Sequence, residues 1–509
     1  MFKTEKTKFL KGMIGLFVLA DGAQAVAKVE SAPPPNIVYI LCDDLGYGDV
    51  QCLNPERGKI ATPHMDQLAS QGMVFTDAHS SSSVCTPSRY GILTGRYNWR
   101  TLRQTGVLLG YGEPLVAPDR LTVAGLLKEQ GYTTAGIGKW HLGLKMPTTD
   151  GKRANGQGSN VDWKGIITDG PVHHGFDYYY GISASLDMPP YIYIENDHFV
   201  GECTTRKAFN REGPAHVDFE PVDVLPTLGK KAVEFIAQQK ADKPFFAYVA
   251  LASPHTPIVP SKDWKGKCPL GKYGDFVMQT DAVIGEIVAA LDAAGLGENT
   301  LVIITSDNGC SRAAGISNLQ KKGHYPSAQY RGSKADIWDG GHRIPFIVRW
   351  PGGVQAGSTS DQTICLTDLM ATSADLAGVQ LPITAGEDSV SFAPALKGQP
   401  IVSTRKGVIH HSISGHFAYR LGKWKILLAK ASGGWTAPQE RNAPAGCPKI
   451  QLYDMEADPG ETTNLCASHP EVVQQLLAQL DSDVQRGRST GGAVQQNDFQ
   501  DIRLWKSGQ

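Results

Sequence analysis

Two apolar runs of this chain end abruptly in oxygen donors. Asn36-Ile37-Val38-Tyr39-Ile40-Leu41 passes through Cys42 into Asp43-Asp44. Ile303-Ile304-Thr305-Ser306 passes into Asp307-Asn308-Gly309. Three carboxylates and an amide oxygen are the donor set of a hard cation, Ca²⁺ or Mg²⁺, and not of a soft metal. In open α/β sheets, ligands bind beyond the carboxyl ends of the strands. Two such clusters on neighbouring strands would therefore converge. The competing reading is turn chemistry, since Asp, Asn and Gly are also common turn residues.

A third segment, Cys85 to Arg96, reads C-T-P-S-R-Y-G-I-L-T-G-R. A cysteine beside Arg89 is either a buried small hydrophobe or a thiolate with a lowered pKa. Spacing alone does not choose between them. Cationic and imidazole groups recur in short glycine- or proline-rich segments: Lys139 and His141 in Gly131–His141, His255 in Ser253-Pro254-His255-Thr256-Pro257, and Lys334 after Gly332-Ser333. Taken singly, such residues are more often structural or solvated than catalytic.

These groups need elements to hold them. Asn36–Leu41, Phe245–Leu251, Leu301–Thr305 and Phe346–Arg349 are continuous apolar runs, as expected of strands buried on both faces. Helical patterns lie at Met65–Gln71, Thr122–Gln130 and Tyr273–Ala294. Strands alternating with helices predict an α/β fold, a large and mainly parallel sheet sandwiched by helices. The tail has a different rhythm. Short strands at Gly407–Ser412, His416–Leu421, Trp424–Leu428 and Ile450–Tyr453 precede an amphipathic helix at about Pro470–Arg486. This predicts a smaller C-terminal antiparallel sheet plus helix. With 509 residues the chain exceeds the usual single core, and the expected division is a main domain at 33–400 and a subdomain at 401–509. The glycine-rich, aromatic stretch His173–Val200 has two readings, a long loop walling a pocket or tyrosines that simply belong to the core; aromatic faces with nearby Asp, His and Asn suit sugar rings, which makes Asp187 and His198 candidate sugar contacts.

A formal net charge of -1, 41% hydrophobic and 19% charged residues describe a globular protein with no electrostatic case for nucleic acid. The first 25 residues read as a secretory signal peptide. Lys3, Lys6, Lys8 and Lys11 precede an apolar run, Gly12–Ala20, and a small-x-small site at Ala23-Gln24-Ala25. Export to the periplasm or beyond is the expectation, and no later segment has the ~20 apolar residues of a membrane span. The nine cysteines include no C-x-x-C pair, which argues against a zinc ribbon.

The motifs together resemble one family. Cys85, Pro87, Ser88, Arg89, Thr94, Gly95 and Arg96 match the signature C-x-P-S-R…T-G-R of the type I, formylglycine-dependent sulfatases, which have the alkaline-phosphatase-like fold. Gly131–His141 matches the second signature. The segment Gly332-Ser333-Lys334…Asp339-Gly340-Gly341-His342-Arg343-Ile344-Pro345 is similar to G-x-K…E-G-G-x-R-x-P, with Asp339 where glutamate is usual. The resemblance extends to Leu452-Tyr453-Asp454…Asp458-Pro459…Glu461…Asn464-Leu465. It implies that a maturation enzyme oxidises Cys85 to formylglycine, whose hydrate attacks the sulfur of a sulfate ester and then expels sulfate. It implies one Ca²⁺ held by Asp43, Asp44, Asp307, Asn308 and the residue at 85. Arg89 and Lys139 would stabilise formylglycine, His141 would take its proton, and His255 and Lys334 would grip the sulfate. The expected substrate is a sulfated carbohydrate or aryl sulfate, with His342 and Arg343 as further candidate contacts. Two alternatives stay open: a phosphate or phosphonate ester hydrolase of the same superfamily, or a sulfated-glycan binding protein if Cys85 remains a thiol.

Overall fold

The computed structural model describes residues 33–506. The expected leader at 1–25 lies outside the described residues. From Pro34 onward the chain gathers into one compact unit.

Its centre is a ten-stranded sheet. Five neighbouring strands are parallel: Thr300–Ser306, Asn36–Cys42, Phe245–Ala250, Thr133–Lys139 and Tyr178–Ile182. The sheet is mixed toward its edges, because Phe346–Arg349 runs antiparallel to both Thr300–Ser306 and Met73–Phe75. On the far side Ile194–Glu195 and His198–Phe199 also turn back antiparallel.

The apolar runs are continuous because both faces are covered. Ile37, Tyr39 and Leu41 pack with Tyr248, Leu301 and Ile303 on one side. Val38, Ile40 and Cys42 pack with Val249, Val302 and Ile304 on the other. Helices Cys85–Thr94, Val123–Glu129 and Leu369–Leu376 close the first face. Helices Pro63–Gln71, Pro221–Ala237 and Lys272–Ala293 close the second. Each fully buried Ile, Leu or Val contributes roughly 1.5–3 kcal/mol relative to exposure, so these central strands are the least yielding part of the fold.

The tail forms the expected antiparallel sheet, ordered Val408–His411, Phe417–Leu421, Trp424–Leu427 and Gln451–Asp454, with the helix Pro470–Gln485 behind it. Leu476, Leu480 and Val484 of that helix share a core with Phe417 and Ile426, and also with Tyr97 and Trp99 from the main body. Buried ion pairs add to this seam. Lys425 donates to Asp339 and to Glu461, each at 2.7 Å, and the buried Arg96 also reaches the exposed Asp498 at 3.0 Å.

The stretch 173–200 is not one long loop. Tyr178–Ile182 is a strand of the main sheet, paired along the glycine-rich Thr133–Lys139 strand. Its tyrosines are core: Tyr179 and Tyr180 are buried, and Tyr180 stacks on Tyr193. Aromatic, β-favouring residues beside a strand of small residues fill the space that those residues leave. Only the segment after Ile182 reaches the site.

Candidate functional site

Asp43 and Asp307 emerge side by side because their strands end in register, Cys42 opposite Ser306. The turn is fastened by Asp307 N–H donating to Cys42 O at 3.1 Å and Leu45 N–H donating to Ser306 Oγ at 2.9 Å. Asp44 sits in the left-handed region at φ 69, as does His141 at φ 60. Non-glycine residues hold that conformation only where surrounding contacts impose it, and such residues cluster at functional sites.

Cys85 is the first residue of the helix Cys85–Thr94. One helical turn separates Cys85 from Arg89, so both lie on one face. Pro87 is tolerated because the first turn needs no N–H from it. Gly95, at φ 64, ends the helix, and Arg96 leaves to meet Glu387 and Asp498. The T-G-R end of the signature thus terminates the helix and ties down the tail.

Arg89 is fully buried. Its Nε and Nη2 donate to Asp307 Oδ2 at 3.0 and 2.8 Å, its Nη1 donates to Lys139 O at 3.0 Å, and Asp43 Oδ1 lies 3.7 Å away. Lys139 Nζ donates to Asp43 Oδ2 at 2.7 Å. Gly138, at φ 120, delivers that lysine. A Cβ there would lie 1.8 Å from Ala250 O, so only glycine fits. Lys334 Nζ donates to Asp44 Oδ1 at 2.5 Å and to Cys85 Sγ at 3.4 Å. Asn308 Nδ2 donates to the same Asp44 oxygen at 2.7 Å.

Three buried oxygens in this cluster have no hydrogen-bond partner: Asp43 Oδ1, Asp44 Oδ2 and Asn308 Oδ1. Unpartnered buried carboxylate oxygens are costly unless a cation meets them. A donor set made only of oxygens fits a hard divalent ion. The electrostatics agree. Burial pushes the Asp43 carboxyl up, but Lys139, His255, Arg89 and Lys334 outweigh it and hold it well below the usual carboxylate range. Burial and the neighbouring Asp43 charge push Asp307 up to about 6. Burial raises the Cys85 thiol despite Lys139 and Lys334, so the encoded cysteine is a poor thiolate where it stands.

Cys85, His255 and Lys334 open into a cavity of about 530 Å³. His255 Nδ1 lies 2.6 Å from Thr256 O and so donates to it, leaving Nε2 at 3.7 Å from Asp44 Oδ2. His141 is buried behind the cavity with Nε2 donating to Leu108 O at 2.7 Å and Nδ1 unpartnered. Burial and Lys139 hold its imidazole well below the usual range, hence neutral.

A sequence profile described as Sulfatase matches residues 35–379. The chain belongs to the sulfatase family. It is 34% identical to an N-acetylgalactosamine-6-O-sulfatase of Bacteroides thetaiotaomicron, over 94% of this chain and 98% of that protein. It is 33% identical to human arylsulfatase A, over 93% of this chain and 92% of that one. A solved structure from work on glycosaminoglycan metabolism by Bacteroides thetaiotaomicron superposes with a TM-score of 0.78 at 33% identity, covering 89% of this chain and all of that one. This sulfatase is thus a sulfuric ester hydrolase, of a family that generally uses formylglycine and a divalent metal.

The structure of the sulfatase links Asp43, Asp44, Cys85, Arg89, Lys139, His255, Asp307, Asn308 and Lys334 through hydrogen bonds and ion pairs, with His141 near enough to feel the charges of Lys139, Arg89 and Asp43. The four substrate candidates fare differently. Asp187 lines the cavity, paired with Arg211, and its Oδ1 has no partner. His198 stands exposed on the edge strand beside Asp197, away from the cavity. His342 and Arg343 are buried under the C-terminal sheet. His342 stacks on His410 and lies 3.1 Å from Lys425 Nζ, while Arg343 pairs with Asp77 and Asp339. Neither lines the cavity, because their segment turns inward to join the two sheets. Asp339 belongs to the same seam, and this explains why its departure from glutamate leaves the site intact. Arg211, Arg312 and Trp435 line the cavity without a sequence signal. Arg211 sits in the hairpin 205–215 and Trp435 in a loop, both without a motif, while Arg312 opens a short turn three residues after Gly309.

Proposed function

We propose that this sulfatase removes sulfate from a carbohydrate, with a formylglycine made from Cys85 and a calcium ion among Asp43, Asp44, Asp307 and Asn308. The observation that carries the reading is the set of unpartnered buried oxygens beside a lysine that spans Asp44 and Cys85. Bound there, the hydrated aldehyde would supply an oxygen nucleophile and the cation would offset the substrate's negative charge.

The chain's own residues do the rest. Lys334 brings an ammonium to the cavity floor, where a sulfate oxygen must sit. His255 keeps Nδ1 on Thr256 O and presents Nε2 to the leaving alcohol oxygen, to which it would give a proton. His141, held neutral, offers Nδ1 as a proton acceptor at the buried end. Arg89 and Lys139 keep the carboxylates ionised and aligned. Asp187 Oδ1 and the indole of Trp435 suit a sugar hydroxyl and a sugar face. The relatives named for N-acetylgalactosamine-6-sulfate chemistry support the same substrate class. The basic, apolar leader pattern supports export, and no described helix is long and apolar enough to cross a membrane.

The test is peptide mass spectrometry of natively produced protein alongside turnover. Conversion of the thiol to an aldehyde lowers the mass of the peptide carrying position 85. Cys85→Ala should lose on the order of 10³-fold or more in turnover of a sulfated sugar. An active protein with an intact thiol at 85 would overturn the mechanism.

A further inference from the structure

The cavity above Cys85 has a second compartment. Val107, Met188 and Arg211 line it and also line an adjoining cavity of about 600 Å³. The two are parts of one groove. The segment Leu108–Glu113 walls the second part, and Met188 and Pro189 give it an apolar side.

Most charges there are already matched. Arg153 lies 3.8 Å from Glu113, Arg206 is 2.8 Å from Glu212, and Arg211 pairs with Asp187. Arg103 differs. It is half-buried and lines the compartment. Its Nη1 donates to the carbonyls of Thr105 and Val107 at 3.3 and 3.1 Å, and no carboxylate pairs with it among the described residues. A partly desolvated guanidinium without a counterion gains from an anionic ligand.

We propose that this compartment is a subsite for the sugar adjoining the sulfated one, and that Arg103 binds an anionic substituent of that sugar, a carboxylate or a second sulfate. The inference rests on the carbohydrate reading of the cavity above Cys85. The planar guanidinium suits either anion with paired hydrogen bonds. Met188 with Pro189 covers an apolar sugar face. The enzyme therefore selects an anionic oligosaccharide over a sulfated monosaccharide.

The experiment compares kcat/KM of the matured enzyme on an aryl sulfate, a sulfated monosaccharide, and three sulfated disaccharides. In these the neighbouring sugar is neutral, a uronic acid, or itself sulfated. Wild type should favour an anionic disaccharide over the neutral one by about tenfold or more, the usual worth of one charge-assisted hydrogen bond. Whichever anion gives the gain identifies the substituent. Arg103→Gln should abolish the gain, mainly through KM, while aryl sulfate turnover stays unchanged. Arg103→Lys should retain part of it. Equal rates on neutral and anionic disaccharides overturn the subsite, as does a gain that survives in Arg103→Gln. Loss of aryl sulfate turnover in Arg103→Gln also overturns it, assigning Arg103 to loop structure. A wild type that cleaves aryl sulfate but no sugar sulfate instead defeats the carbohydrate reading beneath it.

Discussion

Replacing Arg89 with methionine tests the electrostatic core of the site. The guanidinium makes two hydrogen bonds to Asp307 and one to Lys139 O, all at 3.0 Å or less, and has no solvent exposure. Methionine fills much of the same space but leaves Asp307 buried and unpaired. Breaking a buried pair in this way costs about 3–5 kcal/mol at neutral pH. The loss must also depend on pH. Asp307 is pushed up to about 6 in the folded chain, above its ordinary 3.8. The folded state therefore holds this proton more tightly than the unfolded state. The group's contribution to stability is full below about 4 and is lost as pH rises through about 6. Without the guanidinium, Asp307 moves further up. The deficit of Arg89→Met should then be largest above about pH 7 and shrink toward about pH 5, where the carboxyl is protonated in both proteins. Urea titrations of metal-free protein, followed by tryptophan fluorescence, measure this. Adding Asp307→Asn to the variant should recover about half the loss or more, because the uncompensated charge is gone. A deficit under about 1 kcal/mol, or one flat across this pH range, would refute the argument.

Two further outcomes follow from the same geometry. Calcium added to metal-free protein at about 100 times its dissociation constant should stabilise the fold by about 2.7 kcal/mol, read as a thermal shift. Asn308→Leu should remove most of that shift, and a wild type indifferent to both Ca²⁺ and Mg²⁺ would leave the buried oxygens unexplained. Gly138→Ala should cost about 4 kcal/mol or more or fail to fold, because its Cβ would sit 1.8 Å from Ala250 O between two fixed strands. Normal stability and activity in that variant, by thermal melt and aryl sulfate turnover, would contradict the packing described.

Much of the candidate site was legible before folding. Asn36–Cys42 and Thr300–Ser306 are buried at every position and apolar along their middles because both faces are covered, and such a run ends visibly when it meets Asp43 or Asp307. The Cys85–Arg89 spacing is one helical turn, a local property that the helix Cys85–Thr94 preserves. The small-residue strand Thr133–Lys139 was readable only through the motif it carries, since glycine and alanine give no strand pattern. Tyr178–Ile182 looked like loop for a different reason: the glycines and prolines around it masked its β-favouring tyrosines, although it completes the parallel core.

Sequence by itself therefore determined the chemistry at the strand ends, because residue type and short-range periodicity decide which groups leave the core. Tertiary structure alone decided what surrounds them. His342 and Arg343 follow Lys334 closely in the chain, yet the backbone turns them into the seam with Lys425 and Asp77. Arg211 and Trp435 lie far from any motif and still wall the cavity. Which unpaired oxygens face one another, and which arginine lacks a counterion, depends on distances between segments hundreds of residues apart. Local propensity carries no information about those distances; only the packed sheet and its crossing loops set them.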